Sequence, residues 1–293
     1  MVILNSENIK AYIDYLMYER RLSKNTIIAY KKDLNIIIST LKKDLNQLNK
    51  DDINNFFKNM DVSSRTKAHY LTVLNSYYNY LIFTGLLSMN PCDGIKSPKI
   101  EKKLPVYLTI EEIDKLFNIR LNKPIDYRNK AMLELLFATG TRISELTSLT
   151  LSQINFEESI IKVMGKGKKE RIIPIANNAL NYLKVYIYNY REYLIKNNNG
   201  YVFLNKNGEK ISRQGFFKIL KKMAQDSGIN KNISPHVLRH SFATYLLNNG
   251  VDLRVIQELL GHENLETTEI YSHLTSQKIK DDYDNHPHAH LVN

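Results

Sequence analysis

The chain has 293 residues, 43% of them hydrophobic, and carries 41 Lys and Arg against 30 Asp and Glu, a formal charge of +11. That length suits two domains, the apolar content argues against disorder, and a basic excess spread along the chain favours a polyanionic partner. A single cysteine, Cys92, excludes an intramolecular disulfide or thiolate metal cluster, no run approaches the ~20 apolar residues of a membrane span, and no signal-peptide pattern opens the chain, so an unprocessed, soluble cytoplasmic protein is expected.

Helical periodicity begins at once. Glu7 to Glu19 places Ile9, Ile13, Leu16 and Met17 on one stripe, and Thr26 to Leu41 repeats the pattern with Ile27, Tyr30, Leu34, Ile37 and Ile38, the two joined through a turn and cap at Ser23 to Thr26. Asp51 to Lys58 and the Tyr-rich Ser64 to Thr84, stopped by Gly85, complete four helices and an all-helical domain over residues 1–90. Residues 91–106, bracketed by prolines and poor in apolar side chains, read as an exposed linker. Thr109 to Glu112 is a capping box, and Arg128 to Ala138 is a helix closed by Gly140. Two β-branched runs, Ser159 to Met164 and Arg171 to Ile175, flank a Gly-Lys-Gly-Lys-Lys turn and predict a hairpin; Tyr201 to Leu204 is expected as the third strand. Ser234 and Pro235 open a helix that Gly250 stops, and another follows Asp252 up to Gly261.

The chemistry-bearing residues concentrate between Thr139 and Tyr271. His236, Arg239 and His240 stand at i, i+3 and i+4 near a helix start, where a guanidinium fork, an imidazole and the helix end together suit a phosphate. His236 and His240 also have the spacing of a metal pair, but Val237, Leu238 and Arg239 lie between them where a zinc protease needs a glutamate, and the arginine would oppose a cation. Lys166 in the hairpin turn has the reach to protonate a leaving alkoxide; Lys162, Lys168, Lys169 and Arg171 crowd the same hairpin and read equally as DNA-backbone contacts. The turn lacks the Walker spacing. Among 19 tyrosines, Tyr271 stands out only by following the basic motifs, since a phenol can attack phosphorus where cations stabilise the transition state.

Two strings are highly specific: Ser234-Pro-His-Val-Leu-Arg239-His-Ser-Phe through Leu260-Gly-His262 and Tyr271, and Thr139-Gly-Thr-Arg142-Ile-Ser-Glu145. With the Gly165-Lys166-Gly hairpin and the helical first domain, the chain resembles the tyrosine recombinases over essentially its whole length, and most of all their Xer branch. The resemblance implies a mostly α fold: an N-terminal four-helix core-binding (SAM-like) domain and a C-terminal catalytic domain over residues 107–293 with a small three-stranded antiparallel sheet, forming a C-shaped DNA clamp. It implies that Tyr271 is the nucleophile, that Arg142 and Arg239 hold the phosphate, and that Lys166 protonates the leaving oxygen. His236 would serve as acid/base partner, His262 as phosphate donor, and Glu145 would orient Arg142 or its neighbours. No metal or cofactor is implied. The expected partners are a double-stranded recombination site, a tetramer with a second related recombinase, and an FtsK-type translocase. The tail from about residue 275 to 293 resembles a segment exchanged between protomers. Thr141 departs from the apolar residue more usual before the arginine. The helical domain begins close to Met1, leaving no room for the arm-binding domain of many integrases, which favours the Xer branch.

Overall fold

The computed structural model describes residues 6–99, 106–165, 170–196 and 199–260. The chain divides into two compact units, residues 1–104 and 105–293, each with its own hydrophobic core.

The first unit is built from α1 (Ser6–Tyr18), α2 (Lys24–Leu41), α3 (Lys50–Asn59) and α4 (Ser64–Phe83). Local chemistry sets the boundaries. Ser23 accepts from the Thr26 N–H at 3.2 Å, Ser63 does the same for Thr66, and Asn49 and Asp52 form a reciprocal capping box. The apolar stripes of α1 and α2 meet α4, whose Tyr77 and Tyr78 are fully buried together with Tyr12. A buried phenol brings a large apolar area and a hydroxyl that must be satisfied. Tyr12 donates to Ser76 Oγ at 2.7 Å, Tyr77 to Asn46 Oδ1 at 3.2 Å, and Tyr78 to the Leu45 carbonyl at 2.8 Å. Burial pushes all three phenols well above their ordinary range, which removes them as nucleophiles.

The second unit comprises α5 (Ile110–Phe117), α6 (Pro124–Thr139), α7 (Ile143–Ser148), β1 (Ile154–Asn155), β2 (Ile160–Met164), β3 (Glu170–Pro174), α8 (Asn177–Val185), α9 (Arg213–Asp226), α10 (Pro235–Asn248) and α11 (Leu253–Leu260). The α8 helix runs on into a π-helical turn at Tyr186–Tyr190 and a 3-10 turn at Arg191–Leu194. At the centre of the core lies α6, buried throughout from Lys130 to Thr139, as a helix with apolar residues on every side must be. The two charges in that stretch, Lys130 and Glu134, answer each other across one turn, Lys130 Nζ lying 3.0 Å from Glu134 Oε1 and donating also to the Phe117 carbonyl.

The sheet is antiparallel in the order β1-β2-β3. Its register pairs Val163 with Arg171 and Lys162 with Ile172, and residues directly opposite share a face. Val163 and Ile173 are buried whereas Lys162 and Ile172 are exposed, so Arg171 lies on the core side. The fold is mostly helical with a three-stranded sheet, as expected, but the third strand is not the expected one. Tyr201 to Leu204 makes only isolated bridges, Thr150 with Tyr201 and Leu204 with Lys210, and the sheet is completed by Ile154 and Asn155. The reason lies in its carbonyls: Arg191 donates to those of Tyr201 and Val202, and Arg128 to that of Leu204, so side chains fill the role a neighbouring strand would have played. Among the described residues, no helix is long and apolar enough to cross a membrane.

Candidate active site

The end of α6 begins the site. Gly140 closes the helix in the left-handed conformation, φ 56°, and its N–H bonds the Leu136 carbonyl. The backbone passes so close to α10 and α11 that an added Cβ would stand 2.6 Å from Phe242 Cδ1 and 2.9 Å from Leu260 Cδ2. Thr141 is buried and accepts from the Thr139 hydroxyl at 3.1 Å, so its departure from an apolar type is absorbed locally. Arg142 follows as the residue before α7, where its N–H donates to Glu145 Oε2 at 2.7 Å and its Nη1 to Glu145 Oε1 at 3.1 Å.

Glu145 holds a second arginine. Arg171 comes in from β3 and grips both carboxylate oxygens, Nη1 on Oε1 at 2.8 Å and Nη2 on Oε2 at 2.7 Å, while its Nε reaches the Leu259 carbonyl at 3.3 Å. Each oxygen of Glu145 thus accepts twice, which exhausts the capacity of a carboxylate. Burial by itself raises the Glu145 carboxyl. The Arg171 fork, the Arg142 N–H and the charges of both guanidinia outweigh it and hold the group below its ordinary value.

Arg239 closes the site from α10, a helix started by Ser234, which accepts from the Val237 N–H at 3.2 Å, with Pro235 in the first turn. Its guanidinium is buried and donates to the Gly140 carbonyl at 2.5 Å through Nη1 and to the Leu260 carbonyl through Nη2. Two of its five N–H groups are used in these bonds. Burial, then repulsion by Arg142 and Arg171 partly offset by Glu145, lowers Arg239 to about 10, so it stays cationic near neutrality. One turn earlier His236 is exposed, and His240 is half-buried. The helix therefore turns Arg239 inward and leaves His236 at the surface.

The structure thus brings together Arg142, Glu145 and Arg239, and adds Arg171, which its place in a basic hairpin had marked as a DNA contact. Lys162 stands on the outer face of β2. Lys166, Lys168, Lys169, His262 and Tyr271 lie outside the described residues, as does the tail from residue 275. What the corner can do chemically is bind an anion, because two guanidinia share one carboxylate and a third, Arg239, lies close enough for both to perturb it.

The chain matches the phage integrase family over residues 106–278 and the N-terminal SAM-like domain of phage integrases over residues 9–85. It is 41% identical over 292 residues to the tyrosine recombinase XerD of Oceanobacillus iheyensis, covering 96% of this chain and 98% of that one. To XerD of Listeria monocytogenes it is 42% identical over 293 residues, 96% of this chain and 99% of the other. Among solved structures it is similar to the XerH site-specific recombinase bound to palindromic difH substrate in a post-cleavage complex, with a TM-score of 0.69, 22% identity, and coverage of 95% and 94%; that likeness shows the fold.

Proposed function

The chain belongs to the phage integrase family and is a site-specific tyrosine recombinase of the Xer branch, and from that premise we propose that Tyr271 is the nucleophile with which it opens DNA. The phenolic oxygen attacks the scissile phosphorus, the bond to the 5′-oxygen breaks, and a 3′-phosphotyrosyl link forms in its place. Lys166 gives its proton to the departing 5′-oxygen, and His236 takes the phenol proton and returns it on religation. Arg142 and Arg239 hold the non-bridging oxygens, with His262 donating a further hydrogen bond, and Glu145 orients Arg142. The bond energy is kept in the phosphodiester exchange, so religation is the same step reversed.

The observation that carries this reading is the bond from Arg239 to the Gly140 carbonyl, two residues before Arg142. It joins two helices far apart in sequence and sets two guanidinia at one corner, close enough for Arg142 to depress Arg239. Arginines held in mutual repulsion gain from an anion between them, and most from one whose charge grows in the transition state.

Residues 1–90 serve as the core DNA-binding domain, 91–106 as linker, 107–293 as the catalytic domain, and about 275–293 as the segment exchanged with a neighbour. Lys162, Lys168 and Lys169 contact the DNA backbone. Likeness to XerD proteins supports a tetramer on two DNA sites with a second related recombinase, answering to an FtsK-type translocase in the cytoplasm and resolving chromosome or plasmid dimers at cell division.

The test is a duplex selected for binding from a random library, nicked near the cleavage point so that the cut fragment escapes. The wild-type protein is expected to become covalently attached and Tyr271→Phe to bind without attachment. Arg142→Ala and Arg239→Ala are expected to lose attachment by about 10²–10³-fold with binding retained. Tight binding by the wild type with no covalent product would sink the proposal.

A further inference from the structure

We propose that Arg171 is a positioning residue of the cleavage reaction: it fixes Arg142 through Glu145 and anchors α11 at the Leu259 carbonyl. The inference rests on the reaction assigned above.

The sheet register is the first observation. Arg171 sits opposite the buried Val163 and two residues before the buried Ile173, so the strand turns it away from the face that carries Lys162. Its side chain is 15% exposed, against 36% for Arg142.

The geometry of its bonds is the second. Arg171 supplies two of the four hydrogen bonds that saturate Glu145, in the parallel two-bond arrangement that fixes a carboxylate in position as well as in charge. The other two bonds on Glu145 come from Arg142, one from its backbone and one from its guanidinium. With the fork in place, Glu145 cannot swing without breaking two bonds, and Arg142 is held at the angle that Glu145 sets. Without it, a buried carboxylate keeps only Arg142 as donor and draws that guanidinium toward itself, away from any phosphate.

The third observation is the Nε contact to the Leu259 carbonyl, next to the Leu260 carbonyl held by Arg239. A guanidinium donating to a backbone carbonyl makes a charge-assisted bond, stronger than one between neutral groups. Arg171 and Arg239 thus tie α11 to the two sides of the site, and Arg171 does so from β3. One side chain connects β3, the Arg142 corner and α11.

The experiment compares Arg171→Lys, Glu145→Gln and the double variant on the nicked, library-selected duplex, measuring dissociation constant and single-turnover attachment at saturating DNA. Lysine keeps the charge and loses the fork. Arg171→Lys is expected to bind with wild-type affinity and an unchanged salt dependence, and to form the covalent product about 10²-fold more slowly, the order expected for a misplacement of about 1 Å at a reacting centre. The double variant is expected to be slower than Glu145→Gln alone by far less than the Arg171→Lys factor, the remainder coming from the lost Leu259 contact. An unchanged attachment rate in Arg171→Lys overturns the inference, and so do rate losses that multiply in the double variant. Should Arg171→Lys lose its folded near-ultraviolet circular dichroism, Glu145→Gln is compared instead with Glu145→Gln combined with Arg171→Gln, which leaves no carboxylate stranded; the same outcomes decide. No attachment by the wild type would overturn the reaction itself, whereas wild-type attachment with an indifferent Arg171→Lys overturns the positioning role alone.

Discussion

Gly140→Ala tests whether the corner before Arg142 is as tight as described. The φ of 56° belongs to the left-handed region, where a Cβ costs about 1–2 kcal/mol. The new methyl would also stand 2.6 Å from Phe242 Cδ1, 2.8 Å from Cε1 and 2.9 Å from Leu260 Cδ2, all under contact distance. Phe242 is fully buried and cannot retreat into solvent, so overpacking adds about 1–3 kcal/mol. The sum, roughly 2–5 kcal/mol, is a large share of the ~5–15 kcal/mol that stabilises a typical domain. Gly250→Ala is the control: φ is 78° and nothing lies within 4 Å of its added Cβ, so it pays the backbone cost of about 1–2 kcal/mol alone. Because the two units have separate cores, thermal unfolding is followed by calorimetry for two transitions. Gly140→Ala is expected to lower the transition of the second unit by roughly 4–20 °C, and Gly250→Ala by about 2–8 °C. Equal shifts for the two variants would refute the close approach.

Two further outcomes follow from the ionisable groups. Glu145 is held below its ordinary value of 4.5, so its contribution to stability is complete above that value and is lost as pH falls through the lower, folded-state value. Acid titration of second-unit stability should therefore show a step that Glu145→Gln flattens, and a wild-type curve level down through that range would contradict the paired carboxylate. Burial pushes the Cys92 thiol up to about 12, so the native protein at pH 8 should resist thiol reagents and react only as denaturant opens the first unit; immediate labelling in native buffer would contradict the burial.

Much of the fold is legible because its boundaries are chemical. Ser23, Asn49, Ser63, Thr109 and Ser234 all cap the helices they precede, and Gly140 and Gly250 take the left-handed conformations that their positions require. Ser212 offers the same cap to α9, accepting from the Gly215 N–H at 2.9 Å, whereas α8 begins behind Ala176 with no side-chain cap to betray it. The third strand misleads for a different reason. A run such as Tyr201 to Leu204 is apolar because it is buried, and burial alone does not say whether a strand or an arginine will meet its carbonyls. The true partner, Ile154–Asn155, is too short to show any alternation.

In the site, Arg142 and Arg239 were legible from motif and spacing. The inward turn of Arg171 was legible too, since alternation from Ile173 places it on the core side; the crowd of lysines around it argued for the solvent side and obscured the pattern. That Glu145 serves two arginines at once could not be read, because the side chain of Arg171 reaches it from 26 residues further along the chain.

The burial of α6 has a consequence for anyone redesigning this protein. A helix with one wet face is set in rotation by the boundary between oil and water, but α6 has no such boundary from Lys130 to Thr139. The Lys130–Glu134 pair supplies an internal reference mark instead, with Lys130 held to the Phe117 carbonyl and lying 4.7 Å from the Tyr182 ring centre. Replacing the pair with leucines would exchange costly charges for easy packing and could raise the melting temperature. It would also erase the mark, leaving the helix free to settle at another angle, and at its far end Arg142 would turn with it.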